Sequence, residues 1–156
     1  MKLLFVFPGK TKDRNLLGLA QDYFARIRKH MPCELIELKE KKDIYARDTK
    51  KMIQKEGEVL GKYMGSGTFT VCLDDNGKQY STEGLAAMLD GKMNSGFKQI
   101  NFIIGGPYGL AEEILERSEL KISLSKMTFT HDMSRVLLLE QVYRALTIIR
   151  GGKYHH

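Results

Sequence analysis

The stretch Phe102 to Leu110, FIIGGPYGL, runs from an apolar segment typical of a buried strand into three glycines around a proline. An ordinary strand-to-helix connection needs only one or two turn residues. Three glycines and a proline therefore indicate a backbone that passes very close to another part of the molecule. The stretch predicts a crowded strand end, and the neighbouring segments must indicate what crowds it.

Short apolar runs alternate with segments of helical spacing along the chain. The predicted strands cover 3–7, 34–38, 69–74, 100–106 and 122–128, and the predicted helices cover 16–27, 49–63, 82–93, 111–118 and 133–150. Five successive strand–helix pairs predict an α/β fold with a parallel or mostly parallel sheet and helices on both faces. A length of 156 residues with 42% hydrophobic residues predicts a single domain, 1–156.

The positive charge is concentrated at the two ends of the chain. The net charge is +5 over residues 1–30, −3 over 31–120 and +4 over 121–156, within an overall charge of +6. Such an asymmetry attracts a polyanion at long range, although a generally basic soluble protein would show the same balance. Charge alone leaves these two interpretations open.

Several classes of protein are excluded by what the sequence lacks. It contains no run of 18 apolar residues, and its first residues lack the long apolar region and cleavage site of a signal peptide. Cys33 and Cys72 lie in separate apolar segments without CxxC spacing or matching histidines. We therefore expect a cytoplasmic protein with no membrane segment, no disulfide and no metal site.

Ligands of open parallel sheets bind beyond the carboxyl ends of the strands. Three loops at such positions stand out, at 73–78, 105–110 and 125–132. Gly9 to Thr11 is similar to the end of a P-loop, but that motif requires a glycine where Leu4 stands, which excludes it. The G-G-x-x-G after the fourth strand is a weak match to the dinucleotide fingerprint, which follows a first strand.

The last predicted helix is apolar around most of its circumference. A small domain can bury only one side of such a helix in its own core, so the other side predicts a subunit partner and a two-fold homodimer. The alternative is that the preceding helices wrap it completely.

Four segments together resemble one known family. They are FIIGGPYGL, SLSKMTFTH at 123–131, RVLLLEQVYRA at 135–145 and RGGKYHH at 150–156. This combination is similar to the RlmH family of SPOUT methyltransferases, and the similarity extends over essentially the whole chain. It departs from the family at Thr130, where relatives commonly have proline, and at the final residue, where YHK or YHR is more usual.

The resemblance implies a homodimeric α/β domain with a trefoil knot in its C-terminal half. It also implies binding of S-adenosylmethionine and methylation of N3 of a pseudouridine in 23S ribosomal RNA, with the assembled ribosome as substrate. A chain segment threaded through the knot would explain the glycines at 105, 106 and 109, because side chains there would collide with it.

The family's cofactor pocket can be carried onto this chain residue by residue. It falls on Leu73, Gly105, Gly106, Leu124, Ser125, Lys126, Met127, Thr128 and Phe129. Apolar side chains and backbone amides suit an adenine ring. Plain core packing is the alternative for the leucines and the methionine.

The chain end supplies the candidate catalytic groups. We expect His155 to assist removal of the N3 proton or to fix the uracil edge, while Tyr154 stacks on the base and Lys153 contacts RNA. Since this tail follows an interfacial helix, it is placed to reach the cofactor site of the other subunit. The alternative is a solvated chain end.

The last helix carries further candidates. Arg144, together with Arg135 and Lys126, is expected to contact phosphate, with Glu140 orienting the arginine. The alternative is that Glu140 and Arg144, spaced i and i+4, are a helix-stabilising pair. His131 is either a helix-start residue or an RNA contact.

Two other functions share these features. A non-enzymatic ribosome-associated dimer would retain the fold without binding S-adenosylmethionine. A small-molecule methyltransferase would retain the cofactor pocket but show little salt dependence and no need for the ribosome.

Overall fold

The computed structural model describes residues 1–39 and 48–152. The strands are β1 (Lys2–Pro8), β2 (Cys33–Leu38), β3 (Thr68–Lys78), β4 (Gln99–Ile104) and β5 (Leu120–Ile122). The helices are α1 (Arg14–His30), α2 (Thr49–Leu60), α3 (Thr82–Met93), α4 (Glu112–Arg117) and α5 (His131–Ile149), and a 3-10 turn, Gly61–Tyr63, follows α2.

The five strands form one sheet in the order β2-β1-β4-β3-β5, with every neighbouring pair parallel. The predicted parallel α/β architecture is confirmed. The two central neighbours, β1 and β4, are the most apolar strands because helices cover both of their faces. The rings of Phe5 and Phe102 stack across the two strands, with their centroids 5.4 Å apart.

Helices cover the sheet on both faces. Helices α1, α3 and α5 enclose the larger core, which is centred on Phe5, Phe102 and Leu139. Helices α2 and α4 cover the other face, where Val6, Cys72 and Ile103 form a smaller core. Alternate residues of one strand thus serve two cores, as the pleat of a strand requires.

Helix α5 packs against both α1 and α3. Its buried apolar residues are Val136, Leu138, Leu139, Val142, Ala145 and Leu146. Leu137 is half-exposed and does not belong to this core, whereas the half-exposed Ile148 packs against it. The domain therefore buries one side of α5 and leaves an apolar remainder, in keeping with the all-round apolar pattern of the sequence.

The last predicted strand is wrong over most of its length. The sequence predicts a strand over 122–128, whereas β5 ends at Ile122 and the following segment is irregular up to α5. Two serines explain the difference, because their side chains bond to nearby backbone. The Ser123 hydroxyl donates to the Ser125 carbonyl at 2.9 Å, and the Ser125 hydroxyl accepts from the Met127 N–H at 3.0 Å.

Two polar side chains at the start of α5 hold the β1–α1 loop. Asp132 accepts from the backbone N–H groups of Lys12 and Asp13 at 2.9 and 3.0 Å. Arg135 is 2% exposed and donates to the Pro8 carbonyl and to the Thr11 hydroxyl. The Arg135 guanidinium and the Asp132 carboxylate also form an ion pair at 3.7 Å. We call these contacts the 132/135 clasp.

The clasp keeps Asp132 ionised. Burial opposes its ionisation, but the two backbone hydrogen bonds and the charges of Arg135 and His131 outweigh that effect and lower the pKa of the carboxyl. The GKT sequence at 9–11 is thereby accounted for as a structural loop, since Thr11 is buried against the clasp.

The cysteines are free thiols. Burial raises the pKa of Cys33 to about 11 and that of Cys72 to about 12, so both are protonated at neutral pH.

Within residues 1–39 and 48–152, no helix is long and apolar enough to cross a membrane. The same residues contain no group of three or more His, Cys, Asp or Glu that could hold a metal ion.

We predict that Arg135→Met lowers the free energy of unfolding by about 3 kcal/mol, because it removes the ion-pair partner of the Asp132 carboxylate and the donor to the Pro8 carbonyl and the Thr11 hydroxyl. Urea unfolding followed by circular dichroism measures the change. The control is Arg26→Met, which breaks an exposed pair with Asp22 at 2.7 Å and should have a much smaller effect. Equal effects of the two substitutions would contradict this role for the clasp.

Candidate functional site

A cavity of about 360 Å³ opens at the carboxyl ends of β3, β4 and β5. It is the position at which parallel α/β sheets bind ligands. Its walls come from three loops and the first turn of α5. The lining residues are Leu73, Asp74, Asp75, Asn76, Ile104, Gly105, Gly106, Pro107, Gly109, Leu110, Ile122, Leu124, Ser125, Met127, Thr128, Phe129, His131 and Ser134.

The 105–110 loop is a tight turn folded back on the end of β4. The Gly109 N–H donates to the Gly106 carbonyl at 3.0 Å, which leaves Pro107 and Tyr108 at the corner. Gly109 has a φ of +82°, a conformation that side chains disfavour. A side-chain carbon on Gly105 would lie 2.6 Å from the Gly109 carbonyl carbon, so this position has no room for one.

This geometry explains why glycines stand in the 105–110 loop, and it corrects the expectation that a threaded chain segment requires them. The neighbour of Gly105 is the turn's own backbone, and the neighbour of Gly106 is the carboxylate of Glu56 on α2, 2.8 Å from where a side-chain carbon would stand. The prediction that a later, threaded segment crowds these glycines is wrong. The loop folds tightly on itself, and α2 approaches it from the side.

The 73–78 loop is fixed to β5 by a second close approach. Ile122 pairs with both Leu73 and Lys78, so the intervening residues bulge out of β3 towards the cavity. A side-chain carbon on Gly77 would lie 2.5 Å from the Ile122 backbone, which again requires glycine. Two carboxylates, Asp74 and Asp75, are thereby brought to the cavity wall.

The 123–130 loop forms the outer wall. Its serines are fixed by the hydrogen bonds described above, whereas the side chains from Lys126 to Thr130 are exposed. The Met127 side chain is 75% exposed, and Phe129 is 41% exposed. In the single chain the floor of the cavity is therefore enclosed, and its apolar rim is open.

The whole chain matches one family model. The model described as "Predicted SPOUT methyltransferase" matches residues 1–155. The chain belongs to this family.

Three relatives named "Ribosomal RNA large subunit methyltransferase H" cover nearly the full length of both chains. The protein from Christiangramia forsetii is 40% identical over 156 residues, which is 100% of this chain and 99% of the relative. The one from Flavobacterium johnsoniae is 37% identical with the same coverage. The one from Caldicellulosiruptor saccharolyticus is 41% identical over 147 residues, 94% of this chain and 95% of the relative.

A solved structure is more distantly similar. The SpoU methyltransferase AviRb from Streptomyces viridochromogenes, in complex with the cofactor AdoMet, has 15% identity and a TM-score of 0.49. The likeness covers 98% of this chain and 59% of that one. It adds nothing to the family assignment.

The structure places most of the cofactor residues implied by the SPOUT family around this single cavity. Of the nine, eight line it and Lys126 does not. His131 also lines the cavity as the first residue of α5. The 73–78 loop stands out in the sequence, but Asp74 and Asp75 were not among the predicted site residues. The signal for them was a pair of adjacent acids at the end of a strand.

The candidates on α5 are placed differently. Arg135 is buried in the clasp, so the prediction that it contacts RNA phosphate does not fit its surroundings. Arg144 Nε donates to Glu140 Oε1 at 2.8 Å, and Arg144 Nη2 pairs with the same carboxylate. The helix-stabilising pair favoured by their spacing is therefore formed, and a contact of Arg144 with RNA stays a prediction.

Thr130, the departure from the family's proline, is the N-cap of α5. Its hydroxyl accepts from the Met133 N–H at 3.4 Å. A threonine at this position stabilises the helix start by a hydrogen bond, whereas a proline would restrict the backbone. The end of the 123–130 loop is thus held to α5 by the side chain of Thr130.

The candidate residues Lys153, Tyr154 and His155 lie outside the described residues. The end of α5 shows the point from which the chain continues towards them. Helix α5 begins at the cavity with His131 and ends at Ile149, after which Arg150 donates to the His30 carbonyl at the end of α1. His30 adjoins the start of β2, so α5 ends at the opposite edge of the sheet from the cavity.

We predict that Gly105→Ala lowers the free energy of unfolding by about 2 kcal/mol, because the new methyl group forces the 105–110 turn apart. Thermal and urea unfolding measure the loss. Gly91→Ala is the control, since Gly91 lies in α3 with open space around it and alanine favours a helix. If Gly105→Ala were as stable as Gly91→Ala, the turn would not be packed as described.

Proposed function

We propose that this protein transfers a methyl group from S-adenosylmethionine to N3 of a pseudouridine in 23S ribosomal RNA, acting in the cytoplasm on the assembled ribosome. Membership of the SPOUT methyltransferase family over residues 1–155 carries the proposal. The full-length relatives named as large-subunit ribosomal RNA methyltransferases support the choice of substrate. The trefoil knot expected from the resemblance belongs to the same proposal.

The cavity suits S-adenosylmethionine in volume and chemistry. Its volume of about 360 Å³ falls within the range of small-molecule sites. Leu73, Ile122 and Leu124 offer apolar faces to an adenine ring, and the main chain at 105–106 offers polar groups to its edge. Asp74 and Asp75 provide negative charge for a ligand that carries a sulfonium and an ammonium group.

When bound, S-adenosylmethionine supplies a methyl group already activated by its positively charged sulfur. The chain therefore has to orient the target base and take up one proton, from N3 of the uracil ring. His155 is the proposed base or the group that fixes the uracil edge, because an imidazole exchanges protons near neutral pH. Tyr154 is proposed to stack on the base, and Lys153 to contact a phosphate.

The protein is proposed to act as a homodimer whose tails cross between subunits. Helix α5, with 19 residues, is about 28 Å long and ends at the edge of the sheet opposite the cavity. His155 is three residues after Gly152, and three fully extended residues span about 11 Å. His155 is therefore too close to the end of α5 along the chain to reach the cavity of its own subunit, and an antiparallel partner is the arrangement that lets it contribute to a cavity.

The partly apolar side of α5 is the proposed dimer surface. Leu137 is half-exposed on this side and does not belong to the core that α5 forms with α1 and α3. Around the cavity rim, Met127, Phe129 and Met133 are exposed in the single chain. A partner packed against α5 would bury Leu137 together with these rim side chains, and it would close the open rim of the cavity.

The test is methyl transfer from labelled S-adenosylmethionine to ribosomes that lack the modification, with free ribosomal RNA assayed alongside. Mass mapping of the RNA locates the label. We expect label on one pseudouridine of intact ribosomes and little on free RNA. A chain that ends at Gly152 is the matched control, and it should bind cofactor but not transfer methyl groups.

Other results would select a different function. Cofactor binding without labelled ribosomes would overturn the proposed substrate, and label on a small molecule independent of salt would favour small-molecule methyl transfer. Absence of cofactor binding in calorimetry would leave the non-enzymatic ribosome-associated dimer.

A further inference from the structure

A second concave surface lies at the amino ends of the strands, opposite the cofactor cavity. This groove, of about 450 Å³, is lined by Lys2, Arg28, Lys29, His30, Met31, Pro32, Cys33 and Glu34. It is formed where the last turn of α1 turns back into β2 beside the start of β1. The Leu3 N–H donates to the Pro32 carbonyl at 2.9 Å, which fixes this junction to the sheet.

Positive charge dominates this end of the molecule. Lys2 is matched by Glu34 at 3.2 Å, and Arg26 by Asp22 at 2.7 Å. By contrast, Arg28 and Lys29 are exposed, and no carboxylate among residues 1–39 and 48–152 lies within ion-pair distance of either.

Two further basic residues are hydrogen-bonded to residues that line the groove. Lys98 accepts the backbone N–H of Lys2 at its carbonyl, and the Arg150 guanidinium bonds to the His30 carbonyl. His30 adds no charge at neutral pH, because burial and the nearby charge of Arg150 lower the pKa of its imidazole. The groove thus carries a fixed excess of positive charge.

Helix stability accounts for only part of this pattern. Arg28, Lys29 and His30 occupy the last turn of α1, where cations interact favourably with the helix dipole. That effect gives no reason for Lys98 and Arg150, which come from other elements, to gather at the same place. Nor does it explain a concave surface between them. A concave surface with several exposed cations from different elements is suited to a polyanion.

We propose that this groove binds the phosphate backbone of ribosomal RNA and holds it next to the cofactor cavity of the other subunit. The inference rests on the proposed function. Arg150 ends at the groove, so the chain leaves for its tail from the same edge of the sheet. If the tail enters the partner's cavity, the groove of one subunit lies beside the cavity of the other. Substrate RNA then crosses the dimer from one subunit to the other.

The test uses the full-length double variant Arg28→Glu/Lys29→Glu. Its control is Lys50→Glu/Lys62→Glu, which makes the same change in net charge with exposed lysines on the other face of the sheet. Ribosome binding is measured by co-sedimentation at several salt concentrations. Methyl transfer is measured separately as kcat and as KM for ribosomes.

We expect the groove variant to bind ribosomes at least tenfold more weakly than the control variant, with unchanged kcat at saturation. The slope of log affinity against log salt should fall by about two, one unit for each lost phosphate contact. Cofactor binding and dimer mass should match wild type. Ribosome affinity and salt slope equal to those of the control would overturn the proposal.

Two comparisons separate this inference from its alternatives. Ribosome binding needs no turnover, so the groove can be tested even if methyl transfer is absent, and methyl transfer can stand if the groove fails. Vesicles of phosphatidylglycerol serve as the membrane probe. A groove variant that loses vesicle binding but keeps ribosome binding would assign the groove to lipid and overturn the RNA proposal.

Discussion

The 132/135 clasp is the interaction on which the rest of the site depends. It joins the start of α5 to the loop after β1 across about 120 residues of chain, through a nearly fully buried guanidinium and a carboxylate. Because the clasp fixes the first turn of α5, it also fixes the loop that precedes it, at 123–130. That loop forms the outer wall of the cofactor cavity. The outer wall of the cavity is therefore held in place although its residues form no helix or strand.

The clasp also fixes where helix α5 begins, and so the path that the chain takes after it. Helix α5 starts at the carboxyl edge of the sheet, packs across α1 and α3, and ends beside His30 at the amino edge. A rigid helix of this length separates the cavity from the tail within one chain. The proposed sharing of the site between subunits thus follows from the length of α5 and from the clasp that holds its first turn beside the cavity. The cationic groove at the same amino edge extends this arrangement to the binding of RNA.

Sequence patterns predict the architecture well because buried parallel strands are nearly continuous apolar runs, as in β1 and β4. They fail at 122–128, where alternating apolar residues resemble a strand but Ser123 and Ser125 form local hydrogen bonds instead. The family resemblance identifies residues that the cavity brings together, such as Leu73, Gly105 and Leu124. It cannot reveal which neighbour requires each glycine, since that depends on contacts between distant segments.

Arginines show the same limit. Arg135 and Arg28 both count as basic residues in a sequence, yet the first is enclosed by Pro8 and Thr11 while the second is exposed at the groove. Arg135 is buried because the loop after β1 folds over the start of α5. The residues next to Arg135 in the sequence give no sign of this burial. The charge asymmetry of the chain ends left a polyanion and a generally basic soluble protein equally open, and the position of the candidate surface came from the fold.

The most direct test of the account is activity in mixed dimers. One chain carries Leu124→Arg, which places a charge in the cavity wall and keeps the tail, and the other ends at Gly152 and keeps the cavity. Each homodimer should be inactive. Heterodimers purified with two different tags should recover about half of the wild-type methyl transfer to ribosomes, because one intact cavity meets one intact tail across the interface. Heterodimers as inactive as their parents would contradict a site shared between subunits.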